Sequence, residues 1–230
     1  HFMFYSKITG TGSYLPETVL TNQELEKIVE TSDEWIMKRV GIRERHIVSG
    51  TPDTTCTMAV AAAKKAIVEA GIAPDAIDLI IVGTASADYY LPSVACVVQN
   101  ELGIANECPA FDVNAACAGF IYGMSIADQY IRTGAAKCAL IIGVDTLSRI
   151  LDWSDRATCV LFGDGAGAAI LQAAETPGVI ATKIHAAGKH SMLLYAHSHV
   201  WQEGEKVGKV QMSGNEVFKR ISLYSWEELI

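Results

Sequence analysis

The residues best suited to covalent chemistry lie in Asn114-Ala115-Ala116-Cys117-Ala118-Gly119-Phe120, where one cysteine stands among small side chains. From Ala118 to Thr133, apolar residues recur at Ile121, Met124, Ala127, Tyr130 and Ile131, a helical spacing, and Gly134 supplies a C-terminal stop. Ala110 to Val113 reads as a short buried strand. Cys117 is thus expected where a strand ends and a helix begins. The free N–H groups and positive end of a helix suit a nucleophilic sulfur that carries negative charge. Small neighbours leave room for an acyl chain. A cysteine in this context can equally be one more small buried residue, and the local features leave both readings open.

A second grouping is Trp35 and Arg39. A helix puts residues four apart on one face, and an indole beside a guanidinium can hold a flat ring and a phosphate. Packing plus a surface charge explains the same pair. Gly163-Asp164-Gly165-Ala166-Gly167 lacks the Lys-Ser/Thr of a phosphate loop and the downstream acidic residue of a dinucleotide fingerprint. It is read as a structural turn, with glycines too frequent for an ordinary strand. His185, His190, His197 and His199 follow no metal-ligand pattern and are read as solvated; no metal site is expected. Asp152, Asp155 and Asp164 are read as cap or turn residues rather than as a catalytic carboxylate pair.

The elements that must position these groups alternate in type. Lys7 to Leu15 reads as a strand. Asn22 can cap a short helix, and Ser32 can cap the next, Asp33 to Arg39. Asp33 and Glu34 fall in the first turn of that helix and Lys38 and Arg39 in its last, matching the dipole. Gly41 to His46 is a polar connection, and an alanine-rich helix spans Thr55 to Ala70, stopped by Gly71. Leu79 to Gly83 and Cys138 to Gly143 are continuous apolar strands, the pattern of a sheet covered on both faces. Pro92 to Leu102 reads as a helix begun by proline. Val179 to His185 starts a further strand, Lys189 to Lys209 is a surface loop, and Met212 to Arg220 opens a new segment. This order implies an α/β sheet with helices on both sides.

The totals exclude several classes. The chain has 230 residues, half of them hydrophobic, enough for one large domain or two modest ones. A net charge of −8 argues against a general nucleic-acid surface. Six cysteines without a CxxC pair fit reduced, cytoplasmic usage rather than a disulfide framework or zinc site. No apolar run approaches the roughly 20 residues of a membrane span, and no signal peptide is recognised. His1-Phe2-Met3 reads as a remnant ahead of the natural start.

Several blocks stand together in a familiar order: Gly10-Thr11-Gly12-Ser13-Tyr14-Leu15-Pro16, Thr31-Ser32-Asp33-Glu34-Trp35-Ile36, Gly41-Ile42-Arg43-Glu44-Arg45-His46, Ala115-Ala116-Cys117-Ala118-Gly119-Phe120, Phe162 to Ala168, and Gly214 to Lys219. In order and spacing, from about residue 4 to 220, they resemble β-ketoacyl-[acyl-carrier-protein] synthase III, the initiating condensing enzyme of type II fatty acid synthesis. The resemblance implies an α/β, thiolase-like αβαβα layered fold and a homodimer. It implies residues 4–175 as the N-terminal half and residues 176–230 as the beginning of the C-terminal half.

The implied reaction is acylation of Cys117 by acetyl-CoA or another acyl-CoA, followed by condensation with malonyl-[acyl-carrier-protein] and loss of CO2. The CoA thioester is a substrate, and no cofactor is implied. Thr31, Trp35 and Arg156 match positions around the CoA adenine, with Trp35 and Arg156 on its two faces. Arg39 matches a phosphate contact, and Met212 and Gly214 match pantetheine-tunnel positions. Lys219 and Arg220 match a basic carrier-protein docking region.

Two departures accompany the resemblance. The family's catalytic histidine and asparagine lie beyond residue 220, none of the six histidines stands in that context, and Ile221 to Ile230 does not match the family's continuing helix. The chain therefore reads as C-terminally truncated, and a catalytically incomplete fragment is one alternative. The second departure is Leu91, where acetyl-selective members carry a phenylalanine that closes the neighbouring subunit's acyl pocket. A related thiolase-superfamily condensing enzyme of secondary metabolism is the other alternative.

Overall fold

The computed structural model describes residues 4–198 and 208–227, with side chains as far as residue 220. His199, the 199–207 part of the expected surface loop, His1-Phe2-Met3 and residues 228–230 lie outside the described residues. In chain order the elements are β1 (Tyr5–Tyr14), β2 (Val19–Thr21), α1 (Asn22–Leu25), α2 (Asp33–Val40), β3 (Glu44–His46) and α3 (Thr55–Ala70). They continue with β4 (Leu79–Gly83), α4 (Val94–Glu101), β5 (Ala110–Val113), α5 (Gly119–Arg132) and β6 (Cys138–Thr146). The last are α6 (Arg156–Cys159), β7 (Asp164–Ala174), β8 (Leu194–Ala196), β9 (Val210–Met212) and α7 (Gly214–Glu227). Two compact units result. One comprises His1–Thr18, His46–Thr146 and Asp164–Ile184; the other comprises Val19–Arg45, Leu147–Gly163 and His185–Ile230.

The first unit is built on a mixed sheet in the order β1-β7-β6-β4-β5. β4 runs parallel to β5 and β6, and β7 runs antiparallel to β6 and β1. Alternation along β4 divides its side chains between two cores. Ile80 and Val82 pack with α3 and α4, whereas Leu79 and Ile81 pack with Ala127 and Ile131 of α5. The strand has no polar face because both faces are covered. On α3, Thr54 and Thr57 form a reciprocal cap and Gly71 closes the helix in the left-handed region. Its row Ala62, Ala66 and Ala70 lies directly on β1, where a Cβ on Gly10 or Gly12 would run into the helix backbone.

Several sequence expectations change here. The Gly163 to Gly167 run is no turn: residues from Asp164 onward form β7, hydrogen-bonded on both sides by β1 and β6. Gly165 is crowded, with Leu15 3.0 Å from where its Cβ would be, whereas a Cβ on Gly167 would meet nothing within 4 Å. β5 is half-buried, as an edge strand should be. Pro92 does not open α4; Ser93 is its N-cap and accepts from the Cys96 amide. Val179 to His185 forms no strand, though the Val179 amide reaches Ser6 O at 2.8 Å. On α5 the buried row is Gly119, Gly123, Ala127 and Ile131, while Ile121 and Tyr130 are exposed.

In the second unit, α2 forms as its sequence dictates. Ser32 accepts from the Trp35 amide, the acids and bases occupy opposite ends, and Gly41 ends the helix in the left-handed region. α1 is capped by Thr21, not Asn22, through a reciprocal pair with Glu24. Asn22 is fully buried instead. Leu25, Ile36, Cys159 and Val160 form the core of this unit. β8 pairs with β9, and α7 follows from Gly214 and stays helical through Glu227, past the point where the sequence match ends.

Candidate active site

Cys117 occupies the middle of a 3-10 turn, Ala116–Ala118, between β5 and α5. The turn is held by the Ala118 amide on Ala115 O at 3.1 Å and by the Ala116 amide on Asn114 Oδ1 at 3.4 Å. Ala116 has φ 46°, a left-handed conformation that costs an L-residue about 1–2 kcal/mol. Outliers of this kind concentrate at functional sites, where the surrounding structure sustains them. α5 has no capping side chain; its first amide, that of Gly119, donates to Ala116 O within the preceding turn.

The helix is seated closely on the sheet. A Cβ on Gly83, at the end of β4, would collide with the Gly119 backbone, and one on Gly123 would sit 3.1 Å from Ile141 Cγ2. Farther along, buried Asp128 accepts from Ser6 Oγ at 2.6 Å and from Arg132 Nε at 2.8 Å. Arg132 also donates to Val179 O at 2.9 Å.

All six cysteines are free, and Cys96 and Cys117 are exposed. Among the described residues nothing buries Cys117. The four buried thiols are different. Burial pushes Cys56 up to about 12, with Asp88 adding to it, and Cys138 up to about 11, with Asp78 adding to it. Burial likewise raises Cys108 and Cys159. Thiols held in that state are poor nucleophiles at neutral pH.

In the second unit the sequence grouping closes as its spacing required. Arg39 lies over the Trp35 ring with its guanidinium carbon 5.6 Å from the centroid, and Arg156 lies over it at 4.8 Å. Arg156 is exposed and donates to Glu30 O at 3.1 Å. A flat ring between indole and guanidinium needs about 7 Å, two contacts of about 3.5 Å each. Arg156 must therefore withdraw by about 2 Å to admit one, giving up a surface hydrogen bond of about 1 kcal/mol. Thr31 Oγ1 is buried and has no hydrogen-bond partner among the described residues.

Met212 and Gly214 adjoin, the Met212 Cε lying 3.3 Å from where a Gly214 Cβ would be. Lys219 is exposed and pairs with Glu216 at 3.0 Å. Arg220 lines a groove with His190, Leu193 and Val217. Desolvation, then Arg220 and Lys189, lower the His190 pKa. Leu91 stands at an exposed tip with Tyr89 and Tyr90. Cys117 and Leu91 belong to the first unit, and the other candidate residues to the second.

Asp155 and Asp152 take the cap and turn roles expected, but Asp164 does not: it starts strand β7. Asp155 caps α6, Asp152 accepts from Ser154, and Asp164 accepts from the Val48 amide at 2.7 Å. Sequence reading missed three positioning groups. Asp112 accepts from the Val94 and Ala95 amides at the start of α4, and Asp88 accepts from the Thr55 and Cys56 amides at the start of α3. The third is Arg45, buried on β3 between Glu44 and His46. Strand alternation places it opposite its two neighbours, which was the available signal. Among the described residues no metal-ligand cluster and no membrane-spanning helix occur.

An α/β sheet covered on both faces, with an exposed cysteine on a strained turn between a strand end and a helix start, is an arrangement suited to covalent acyl transfer, the chemistry of thiolase-like condensing enzymes. The comparisons narrow this. A family model for 3-oxoacyl-[acyl-carrier-protein] synthase III matches residues 111–188. A β-ketoacyl-[acyl-carrier-protein] synthase III of Coxiella burnetii is 59% identical over 217 residues, covering 94% of this chain and 68% of the relative. One from Xanthomonas campestris is 53% identical over 219 residues, with 94% and 67% covered. The solved 3-oxoacyl-[acyl-carrier-protein] synthase III of Aquifex aeolicus is 48% identical with a TM-score of 0.86, covering 94% of this chain and 67% of that one. The priming β-ketosynthase of the R1128 polyketide pathway is 32% identical with a TM-score of 0.89, covering 94% and 66%. The chain belongs to the β-ketoacyl-[acyl-carrier-protein] synthase III family and spans about two thirds of the length of these relatives.

Proposed function

We propose that Cys117 is the nucleophile that takes the acyl group of acetyl-CoA or another short acyl-CoA and carries it to malonyl-[acyl-carrier-protein]. The thiolate attacks the thioester carbonyl, a new C–S bond forms, and CoA leaves as its thiolate. Loss of CO2 from the malonyl group then gives an enolate, whose carbon attacks the acyl-cysteine carbonyl. The products are 3-oxoacyl-[acyl-carrier-protein] and the regenerated cysteine, and the carbanion needs no metal or redox group. The positive end of α5, which begins directly after this turn, favours developing negative charge there. The single observation that carries this reading is the exposed sulfur on the strained Ala116–Ala118 turn. Incubation with acetyl-CoA and intact-mass measurement tests it: one acetyl group on the parent and none on Cys117→Ser.

Trp35 and Arg156 hold the CoA adenine between them once Arg156 withdraws, with Thr31 alongside and Arg39 on the phosphates. Met212 and Gly214 border the pantetheine arm. Lys219 and Arg220 meet the acidic carrier protein, which is otherwise repelled by a chain of net charge −8. Residues 4–175 form the N-terminal half and 176–230 open the C-terminal half of a cytoplasmic homodimer. Residues 1–230 alone lack the family's histidine and asparagine. They are expected to self-acylate without forming acetoacetyl-[acyl-carrier-protein], and detection of that product overturns this.

A second reading, a priming ketosynthase of secondary metabolism, is favoured by the likeness to the R1128 enzyme and by Leu91. Leucine leaves more room than phenylalanine, so butyryl- and octanoyl-CoA are expected to compete with acetyl-CoA as primers. Strict acetyl preference counts against that.

A further inference from the structure

Arg45 is 4% exposed, yet no role in the proposed chemistry uses it. Its Nε and Nη2 both donate to Val160 O, at 3.1 and 2.8 Å, and its Nη1 donates to Asn22 Oδ1 at 2.7 Å. Val160 is the C-cap of α6, the four-residue helix that begins at Arg156. Asn22 Nδ2 donates onward to Asp33 Oδ1 at 2.7 Å and to Ile42 O at 2.9 Å. Asp33 is the first residue of α2, two positions before Trp35. One unbroken chain of hydrogen bonds therefore runs from the helix of Trp35 to the helix of Arg156, with Arg45 and Asn22 in its middle.

A one-turn helix such as α6 has no cooperative stability of its own and takes its place from what holds it. Burial works against the charge of Arg45, lowering its pKa. An apolar side chain of similar volume would avoid that cost but leave Val160 O and Asn22 Oδ1 without these donors. What the guanidinium adds is direction, since its planar fork fixes the angles of all three bonds.

We propose that Arg45 is a positioning residue for CoA recognition: through Val160 and Asn22 it sets the separation of the two helices that present Arg156 and Trp35 to the adenine. The proposal rests on the reading of Trp35 and Arg156 as the adenine site. It assigns a purpose to the Arg43-Glu44-Arg45 run that the connection it lies in does not require.

The test is the calorimetric Kd for CoA of the purified chain and of Trp35→Ala, Arg45→Lys and Asn22→Ser. Iodoacetamide labelling of Cys159, fully buried in the same core, runs alongside. Arg45→Lys keeps the charge but replaces the planar fork and its three fixed bonds with a single ammonium nitrogen. Both positioning variants are expected to weaken CoA by about tenfold, about 1.4 kcal/mol, with Cys159 as slow to label as in the parent. CoA affinity unchanged in both variants while Trp35→Ala weakens it overturns the inference alone. Weakening accompanied by fast Cys159 labelling assigns Arg45 to core stability and also overturns it. Affinity unchanged in Trp35→Ala overturns the adenine-site reading and the inference with it.

Discussion

Replacing Asp128 with alanine removes the tether between the helix that follows Cys117 and the sheet. The carboxylate is 2% exposed, accepts from fully buried Ser6 at 2.6 Å and pairs with Arg132 at 2.8 Å. Losing the charge-assisted bond to Arg132 costs about 1.5–3 kcal/mol, and leaving the Ser6 hydroxyl without a partner costs about 1–3 kcal/mol. Arg132 keeps Val179 O at 2.9 Å and the face of Tyr5 at 5.7 Å, so its share falls at the lower end. The expected loss is about 3–4 kcal/mol, or about 10 °C in thermal midpoint for a chain of this size. Ser6→Ala alone should cost about 1–2 kcal/mol, because the carboxylate loses one donor but keeps Arg132. Made together, the two substitutions should cost about 1–2 kcal/mol less than their sum, since the orphaned hydroxyl is gone. Urea unfolding followed by circular dichroism measures each, with stability read from the midpoint at unchanged slope. A loss under about 0.5 kcal/mol for Asp128→Ala, or a strictly additive cycle, would show that the Ser6–Asp128–Arg132 bonds do not hold this helix to the sheet.

Thiol reactivity should sort by exposure: iodoacetamide labels Cys117 and Cys96 first, and Cys56, Cys108, Cys138 and Cys159 lag behind them in native protein. Acetyl-CoA should protect Cys117 but not Cys96; equal protection of both would point to a general conformational effect. Alkaline stability follows from the buried thiols. The fold holds Cys56 and Cys138 protonated to about 12 and about 11, against an ordinary 9.0. Their contribution is complete below pH 9 and is lost as pH rises through 11 to 12, because the unfolded chain ionises first. The thermal midpoint should fall across that window, and Cys138→Ala should flatten the fall; an identical slope would exclude Cys138 as the cause.

Local chemistry made much of this fold legible. Ser32, the acids at 33–34, the bases at 38–39 and Gly41 each act within one turn, and α2 forms where they say. The two apolar strands announced a sheet covered on both faces because nothing in them tolerates water. The Gly163 to Gly167 run misled because its conformation is decided by partners far along the chain: pairing with β1 on one side and β6 on the other overrides the turn preference of glycine. The face of α5 was misjudged for a related reason. Glycines count as nothing in an apolar pattern, yet Gly119 and Gly123 are buried because the helix comes closest to the sheet there.

The site was legible in part. Trp35 and Arg39 meet through helical spacing alone, but Arg156 reaches the same ring from a residue more than a hundred positions away. Arg45 was hidden because charge in a short polar stretch reads as surface. Cys117 was ambiguous until its turn was seen, since burial and exposure are equally compatible with small neighbours.

Acylation of that sulfur decides whether Cys117 is the nucleophile. The purified chain is incubated with acetyl-CoA, its intact mass measured, and the modified peptide sequenced. A single acetyl thioester is expected, located on Cys117 and absent from Cys117→Ser. No acetylation, or acetylation located on Cys96 instead, would contradict it.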